Sequence, residues 1–471
     1  MKSHSEHDVR ARRAFLQRAM ACAAAPGASV AGLGSLGGLS GMGGALLAAG
    51  PAAAQSAGDF KALVCINLIG GNDQSNTVVP IGTPEYTAYA QARPSLALPR
   101  AQLLALAPQG YSGPALGLHP SLAAIKPLFD QGRLALLANV GTLAVPITKA
   151  QWNGGTPTVA VPFQLTSHSD QTGAWQSGLP DRPSATGWFG RTGDLLAPVF
   201  NDGSGVSVAM SVAGNNALQA GNDTIQYQLT TQGAVRVQAL GGLYGSAAGA
   251  TALRRLLTDP RNGLLENELT RIGTRALAGE SLVNNALAGV TMNTAFPATG
   301  IGQQLRMVAR MIAAQGPLAQ RRQLFFVQQG GYDFHDNLLS DQARLLKDLA
   351  DAMAAFHAAM VAMGTAPQVT AFTTSEFGRA LQHNGRGSDH GWGGHHFVMG
   401  GAVQGGRVYG QFPTVALGGP EDAGQGRLIP TTAVDEYAST LVRWFGVPDS
   451  LLTEVLPNLG RFARSNLGFM G

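Results

Sequence analysis

Charge is scarce in this 471-residue chain: Asp, Glu, Lys and Arg together make up 13% of it. That content excludes a strongly acidic disordered chain and a protein that is coiled coil throughout. Cysteine is nearly absent, with two residues and no C-x-x-C pair. A disulfide scaffold, a dithiol redox motif and a cysteine-ligated structural zinc are therefore excluded. Several familiar catalytic templates are missing as well. There is no Walker A loop, no H-E-x-x-H helix and, beyond the amino-terminal leader, no G-x-S-x-G elbow. An elbow-type serine hydrolase is disfavoured, while other serine arrangements stay open.

What is present is glycine, at 63 positions, an apolar fraction of 45%, and a small basic excess of 32 residues over 28. A pI near 9.2 invites a nucleic-acid reading. The location of the charges removes it. Lys2, Arg10, Arg12, Arg13 and Arg18 lie in the first 18 residues against Glu6 and Asp8, and positions 19–58 carry no charge. The remainder holds 27 basic and 26 acidic residues, a net of +1.

Arg12-Arg13-Ala14-Phe15-Leu16 resembles the twin-arginine export signal, with Ala52-Ala53-Ala54 as a small-residue cleavage site. The uncharged run exceeds the roughly 20 residues that span a bilayer, but its many glycines and two prolines make a poor span. The expectation is an export signal over 1–54, recognised by the twin-arginine machinery, and a periplasmic or secreted chain with no stable membrane span after cleavage. Gly32-Leu33-Gly34-Ser35-Leu36-Gly37 matches G-x-G-x-x-G, but it follows no strand and falls in the leader, so it is accidental. Cys22 goes with the leader, and Cys65 reads as a buried, inert thiol inside an apolar strand.

Short apolar runs at 60–69, 133–140, 205–212, 323–328, 369–374 and 397–403 read as strands. Helical spacing occupies 119–130, 251–288 with a break at Asp259-Pro260, 302–314, 338–363 and 431–445. The alternation predicts an α/β fold, a three-layer sandwich with a mostly parallel central sheet. No repeat and no clean linker appears, so 55–471 is expected to be a single domain. The Pro-, Gly- and Thr-rich stretch 142–200 is expected to be a loop-rich insertion over one face.

Ligands of such sheets bind beyond the carboxyl ends of the strands. Three predicted strands end in polar clusters there: Asn72, Asp73, Ser75, Asn76 and Thr77; then Asp333, His335, Asp336 and Asn337; then Glu376 and Arg379, followed by His383, Asn384, Asp389, His390, His395 and His396. Six of the ten histidines fall between 335 and 396. Carboxylates with imidazoles suit Zn, Mn or Fe, and carboxylates with amides suit Mg or Ca, so a divalent metal is the expected cofactor. Each residue also has an ordinary role open to it: Asp333 as a helix cap, Glu376 as a partner of Arg379, His395 and His396 as surface residues.

The pieces GGNDQSNTVVP (70–80), SHSDQTGAWQSG (167–178), GGYDFHDN (330–337), SEFGR (375–379), NGRGSDHGW (384–392) and GGRVYG (405–410) resemble the bacterial secreted family called domain of unknown function 1501. That family is grouped with the alkaline phosphatase and sulfatase superfamily. The resemblance implies a binuclear metal site on an α/β sandwich that cleaves phosphate or sulfate esters. It implies Asp73 or Asn76 in a first metal role, Asp333 and His335 in a second, Glu376 in a third, and His390 or His396 in a last; Asp389, adjacent to His390, is a ligand candidate from the residues alone, on a loop that can turn both inward. By the same resemblance Ser75 or Thr77 is the nucleophile, Arg379 grips an anionic oxygen, and His168 is a further candidate on a loop able to fold over the strand ends. Sulfatase-like relatives carry Asp where this chain has Asn76, and the formylglycine motif is absent, which disfavours that sulfatase chemistry.

The leading expectation is an exported metal-dependent hydrolase of a small anionic ester. The alternative is a non-catalytic periplasmic or surface protein that binds a glycan, anion or partner, for which Trp152, Trp175 and Trp188 could furnish a surface, although core packing under a long loop is the expected role of these three.

Overall fold

A computed structural model describes residues 59–471; the twin-arginine pair and the rest of the leader lie outside the described residues. The strand β1 (Lys61–Ile69) is buried along all but its two ends, as a continuous apolar run covered on both faces must be. It pairs in parallel with β6 (Arg322–Gly330) on one side and β7 (Val369–Thr374) on the other. Before them in the chain come β2 (Leu134–Gly141), β3 (Ala209–Ser211), β4 (Tyr227–Thr230) and β5 (Gly233–Ala234). After them come β8 (Gly394–Gly400), β9 (Val408–Tyr409) and β10 (Thr432–Ala433). They make one ten-stranded sheet in the order β9-β2-β8-β7-β1-β6-β3-β4-β5, with β10 also on β2. Only β8 and β5 run against the rest, so the sheet is mostly parallel, and helices flank it.

Register does the positioning. Ile69 pairs with Gly330 and Asn67 with Thr374, so three neighbouring strands end within two residues of one another and release their loops side by side. The loop after β1 turns through Gly70 and Gly71, at φ +119° and +85°. A Cβ on Gly70 would stand 2.3 Å from the Asp333 amide nitrogen, so no other residue allows the first two loops to touch.

The segment 142–200 departs from the loop expectation. After α1 (Thr83–Ala92), which lies ahead of it and is not among the expected helices, the segment contains α2 (His168–Ser177) and α3 (Trp188–Phe200) as well as a short turn at Lys149–Trp152. The sequence hides α2 because polar residues dominate it. Its ends are nonetheless marked: the Ser167 hydroxyl caps the Asp170 amide, and Gly178 closes it in the left-handed conformation. Trp175 and Trp188 are core residues, and Trp152 is half-buried against Trp392. The run 119–130 is broken, since Pro120 and Pro127 each open a separate short helix.

Elsewhere the helices follow their spacing, as α4 (Ala247–Thr258), α5 (Leu264–Ala288), α6 (Gly300–Ala313), α7 (Leu338–Ala362) and α8 (Val434–Phe445). Cys65 is buried, and burial pushes its thiol up to about 12. No helix among the described residues is long and apolar enough to cross a membrane.

Candidate metal centre

The centre forms around Asp333, on the loop released by β6. Its Oδ1 lies 3.0 Å from His335 Nε2 and 3.2 Å from His390 Nε2, and His335 Nε2 is 3.0 Å from His390 Nε2. Its Oδ2 lies 3.6 Å from His168 Nε2. His168, Asp333 and His390 each offer a ligating atom within 4.8 Å of the others.

Hydrogen bonds behind the two outer imidazoles fix which nitrogen faces inward. His390 Nδ1 is 2.7 Å from the Thr166 carbonyl, which can only accept, so a neutral His390 carries its proton there and turns the Nε2 lone pair toward Asp333. Burial holds His390 below the usual histidine range, against the pull of that carbonyl, and so favours the neutral ring. His168 repeats the pattern: Nδ1 donates to Glu376 Oε1 at 2.8 Å, and Nε2 faces Asp333. Two imidazole lone pairs therefore point at the two oxygens of one carboxylate. A cation would satisfy these donors together, as a proton on His335 Nε2 can for Asp333 Oδ1 and His390 Nε2 at 3.0 Å each, and a histidine whose outer nitrogen is held by a carbonyl or carboxylate is the common backing of a metal ligand. The donor set fits a divalent ion.

Glu376 is buried behind His168 and also accepts the Gly70 amide at 2.8 Å. Arg379, fully buried, is consumed by the scaffold. It donates to the carbonyls of Gly70, Gly71, Tyr332 and Ser388 and to Asp333 Oδ1, tying all three loops together. Although partial burial raises the Asp333 carboxyl, the hydrogen bond and positive charge of Arg379 outweigh it and hold Asp333 below the ordinary carboxylate range. The anionic oxygen that Arg379 grips is therefore Asp333's own. Asp389 stands on the rim, its Oδ1 3.5 Å from His335 Nδ1.

The first cluster points elsewhere. Asp73 Oδ2 and Asn76 Oδ1 receive Arg93 Nη1 at 2.6 and 2.8 Å, and all three residues are buried. Asn76 Oδ1 takes the Tyr89 hydroxyl as well. These acceptors are filled by an internal cation, not aimed at a bound one. The Ser75 and Thr77 hydroxyls are buried too, bonded to Gln74 and to Asn72, Gln342 and the Asp73 carbonyl. Nothing in the sequence marks Arg93 for this part, because its partners lie 17 and 20 positions away. Phe377, inside SEFGR, is a site residue with no sequence signal of its own: its ring stacks on His390 at 4.6 Å and tilts against His168 at 4.9 Å.

His396 and His395 are interior residues of β8. His396 lies edge-on to Trp175 and stacked on Tyr437, and His395 stacks on Phe412. Burial lowers both to about 3 from an ordinary 6.5. The unfolded chain binds these protons first, so stability is lost as pH falls below about 6.5 toward 3. The urea unfolding midpoint is expected to be clearly lower at pH 5 than at pH 7; equal midpoints would contradict this reading.

Among solved structures, the chain is similar to the PsFucS1 sulfatase from Pseudoalteromonas sp., with 12% identity over 84% of this chain and 69% of the other and a TM-score of 0.33. It is similar also to Ps i-CgsB, seen in complex with k-i-k-neocarrahexaose and without it. Each is 8% identical over 85% of this chain and 77% of the other, with TM-scores of 0.30 and 0.31. No curated protein matches it. The family model described as protein of unknown function (DUF1501) matches residues 60–434, and the chain belongs to that family.

Proposed function

We propose that this protein is an exported, metal-dependent hydrolase of phosphate or sulfate esters, working through a single divalent cation held by His168, Asp333 and His390. The observation that carries the reading is the pair of imidazole lone pairs facing one carboxylate, each fixed from behind by Thr166 or Glu376. Two or three imidazoles with one carboxylate suit Zn or Mn better than Mg or Ca. When bound, such an ion would supply Lewis acidity toward an ester oxygen and neutralise charge as the bond breaks.

The chain's own residues do the remainder. Arg379 fixes Asp333 in position, Glu376 orients His168, and Phe377 covers one face of His390 and His168 against water. His335, half exposed, is placed to hold or pass a proton at Nε2 with Asp389 behind Nδ1. Ser75 and Thr77 are buried and bonded inward, so water entering at the exposed mouth takes the nucleophile's part. The ester class rests on the motif resemblance, as does the proposal of one small anionic ester or glycan as substrate. Export by the twin-arginine route rests on Arg12-Arg13.

One observation favours the non-catalytic alternative: Arg93 fills the acceptors of Asp73 and Asn76, closing the role a second metal would need. The deciding experiment measures metal content after chelation and reconstitution with Zn or Mn, then turnover of a panel of phosphate and sulfate esters. About one equivalent with metal-dependent turnover is expected. Metal without turnover would move the assignment to binding, and failure to take up any metal would end both the metal and the hydrolase readings.

A further inference from the structure

Large exposed apolar side chains are concentrated in one place. Tyr244, Leu256, Leu264, Leu265, Leu269 and Ile272 all belong to α4, α5 or the segment just before α4. α5 runs for 25 residues, yet Thr270 is the one buried residue before Gly279. Its contact with α4 is made at Gly273, where a Cβ would stand 2.5 Å from the Leu257 carbonyl oxygen. About 100° around the helix from Thr270 and Gly273 runs a stripe of Leu265, Leu269, Ile272 and Ala276. The steps of four, three and four are those of a heptad seam. Leu265 is 85% and Leu269 64% exposed, so within one chain the seam faces solvent.

Glu268 and Arg275 stand on the same edge of this stripe, one heptad apart and opposite in sign. Within the chain Glu268 makes only solvent-exposed pairs, with Arg271 at 3.1 Å and Arg275 at 3.6 Å, which a second copy can exchange. When two copies of such a helix pair antiparallel, like edges meet. Leu269 then layers against Ile272 of the second copy, Leu265 against its Ala276, and Glu268 faces its Arg275 twice over. A parallel pairing would set Glu268 opposite Gly273, leaving it no partner, and Arg275 opposite Glu280, which Arg236 of its own chain already holds at 3.4 Å. Self-complementarity of this kind is what a twofold interface requires. An anionic membrane surface is a poorer match, because Glu266, Glu268 and Glu280 offset Arg271 and Arg275 along α5, and a membrane-lying helix carries a basic polar face.

We infer that the protein forms an antiparallel homodimer through the exposed seam of α5. The inference is independent of the metal centre. A two-heptad seam is small, so a dissociation constant of about 10 µM is expected.

Sedimentation equilibrium of the purified protein from about 1 to 200 µM tests it across that constant. A reversible monomer–dimer equilibrium is expected. Leu269→Glu, at an exposed position, should weaken it at least about tenfold while circular dichroism stays unchanged. Glu268→Arg and Arg275→Glu should each weaken it, and the double reversal should restore it. A monomer at every concentration would overturn the inference. So would a dimer indifferent to Leu269→Glu, or a charge reversal without recovery. Flotation of a persistently monomeric protein with anionic vesicles would likewise overturn it, and would assign the seam to a lipid surface.

Discussion

Asp333→Asn is expected to remove metal retention and, with it, every metal-dependent activity of the protein. The substitution keeps the size of the side chain but takes away the one carboxylate among the described residues that faces His168, His335 and His390 together. Partners one shell further out typically cost 10–100-fold in affinity, so losing the ligand itself should cost more than about 100-fold. The fold should survive, because Arg379 keeps four backbone carbonyls as acceptors. Glu376→Gln provides the graded control. Its amide oxygen can still accept from Gly70 and His168, but the negative charge behind the imidazole is gone, and a loss of roughly 10–100-fold is expected. Titration of the chelated protein with Zn, followed by calorimetry, reads both variants on one scale. Unchanged affinity in Asp333→Asn, with native circular dichroism, would dismantle the centre as described.

The second large effect concerns stability. Arg93→Met should destabilise the protein by about 3–5 kcal/mol, the usual result of leaving a buried charge without its partner. Arg93 is fully buried; it donates to Asp73 and Asn76 and, through Nε and Nη2, to the carbonyls of Leu381 and Ala380. It therefore joins the loop after β1 to the strand that follows SEFGR. Adding Asp73→Asn to Arg93→Met should recover a good part of the loss, since the amide removes the stranded charge and leaves the shape nearly intact. Urea unfolding of the wild type, the single variant and the double variant measures this directly. Equal midpoints for wild type and Arg93→Met would mean that Asp73 has another partner and remains open to a ligand.

The contrast between Asp333 and Asp73 shows what could be read in advance. Both follow an apolar strand and a Gly-Gly pair, both resemble the same family motif, and both were metal candidates for the same reason. One ends with an exposed face among three imidazoles, and the other is sealed against a guanidinium. The deciding residue, Arg93, sits on no motif. His168 does sit on a motif and is a candidate from the sequence, but its place in the chain, 165 positions before Asp333, does not fix its lying 3.6 Å from that carboxylate. Its helix α2 was obscured because a polar sequence with small residues shows no apolar stripe, and only the caps Ser167 and Gly178 betray it.

By itself, then, the sequence determined six of the ten strands of the sheet and the helices α4 to α8, since a strand buried on both faces must be a continuous apolar run and a helix beside it must carry a periodic one; the short edge strands β4, β5, β9 and β10 carry no such run. It also determined that polar chemistry gathers where β1, β6 and β7 end, because loops are where a chain so poor in charge can place such groups. Tertiary structure alone decided which of those groups face one another. Parallel strands bring together residues hundreds of positions apart, and the choice between a ligand and a salt bridge depends on which side chain fills the opposite wall. His396 and Asp73 went into the interior, where burial and Arg93 respectively claim them, and His168, Asp333 and His390 were left to converge.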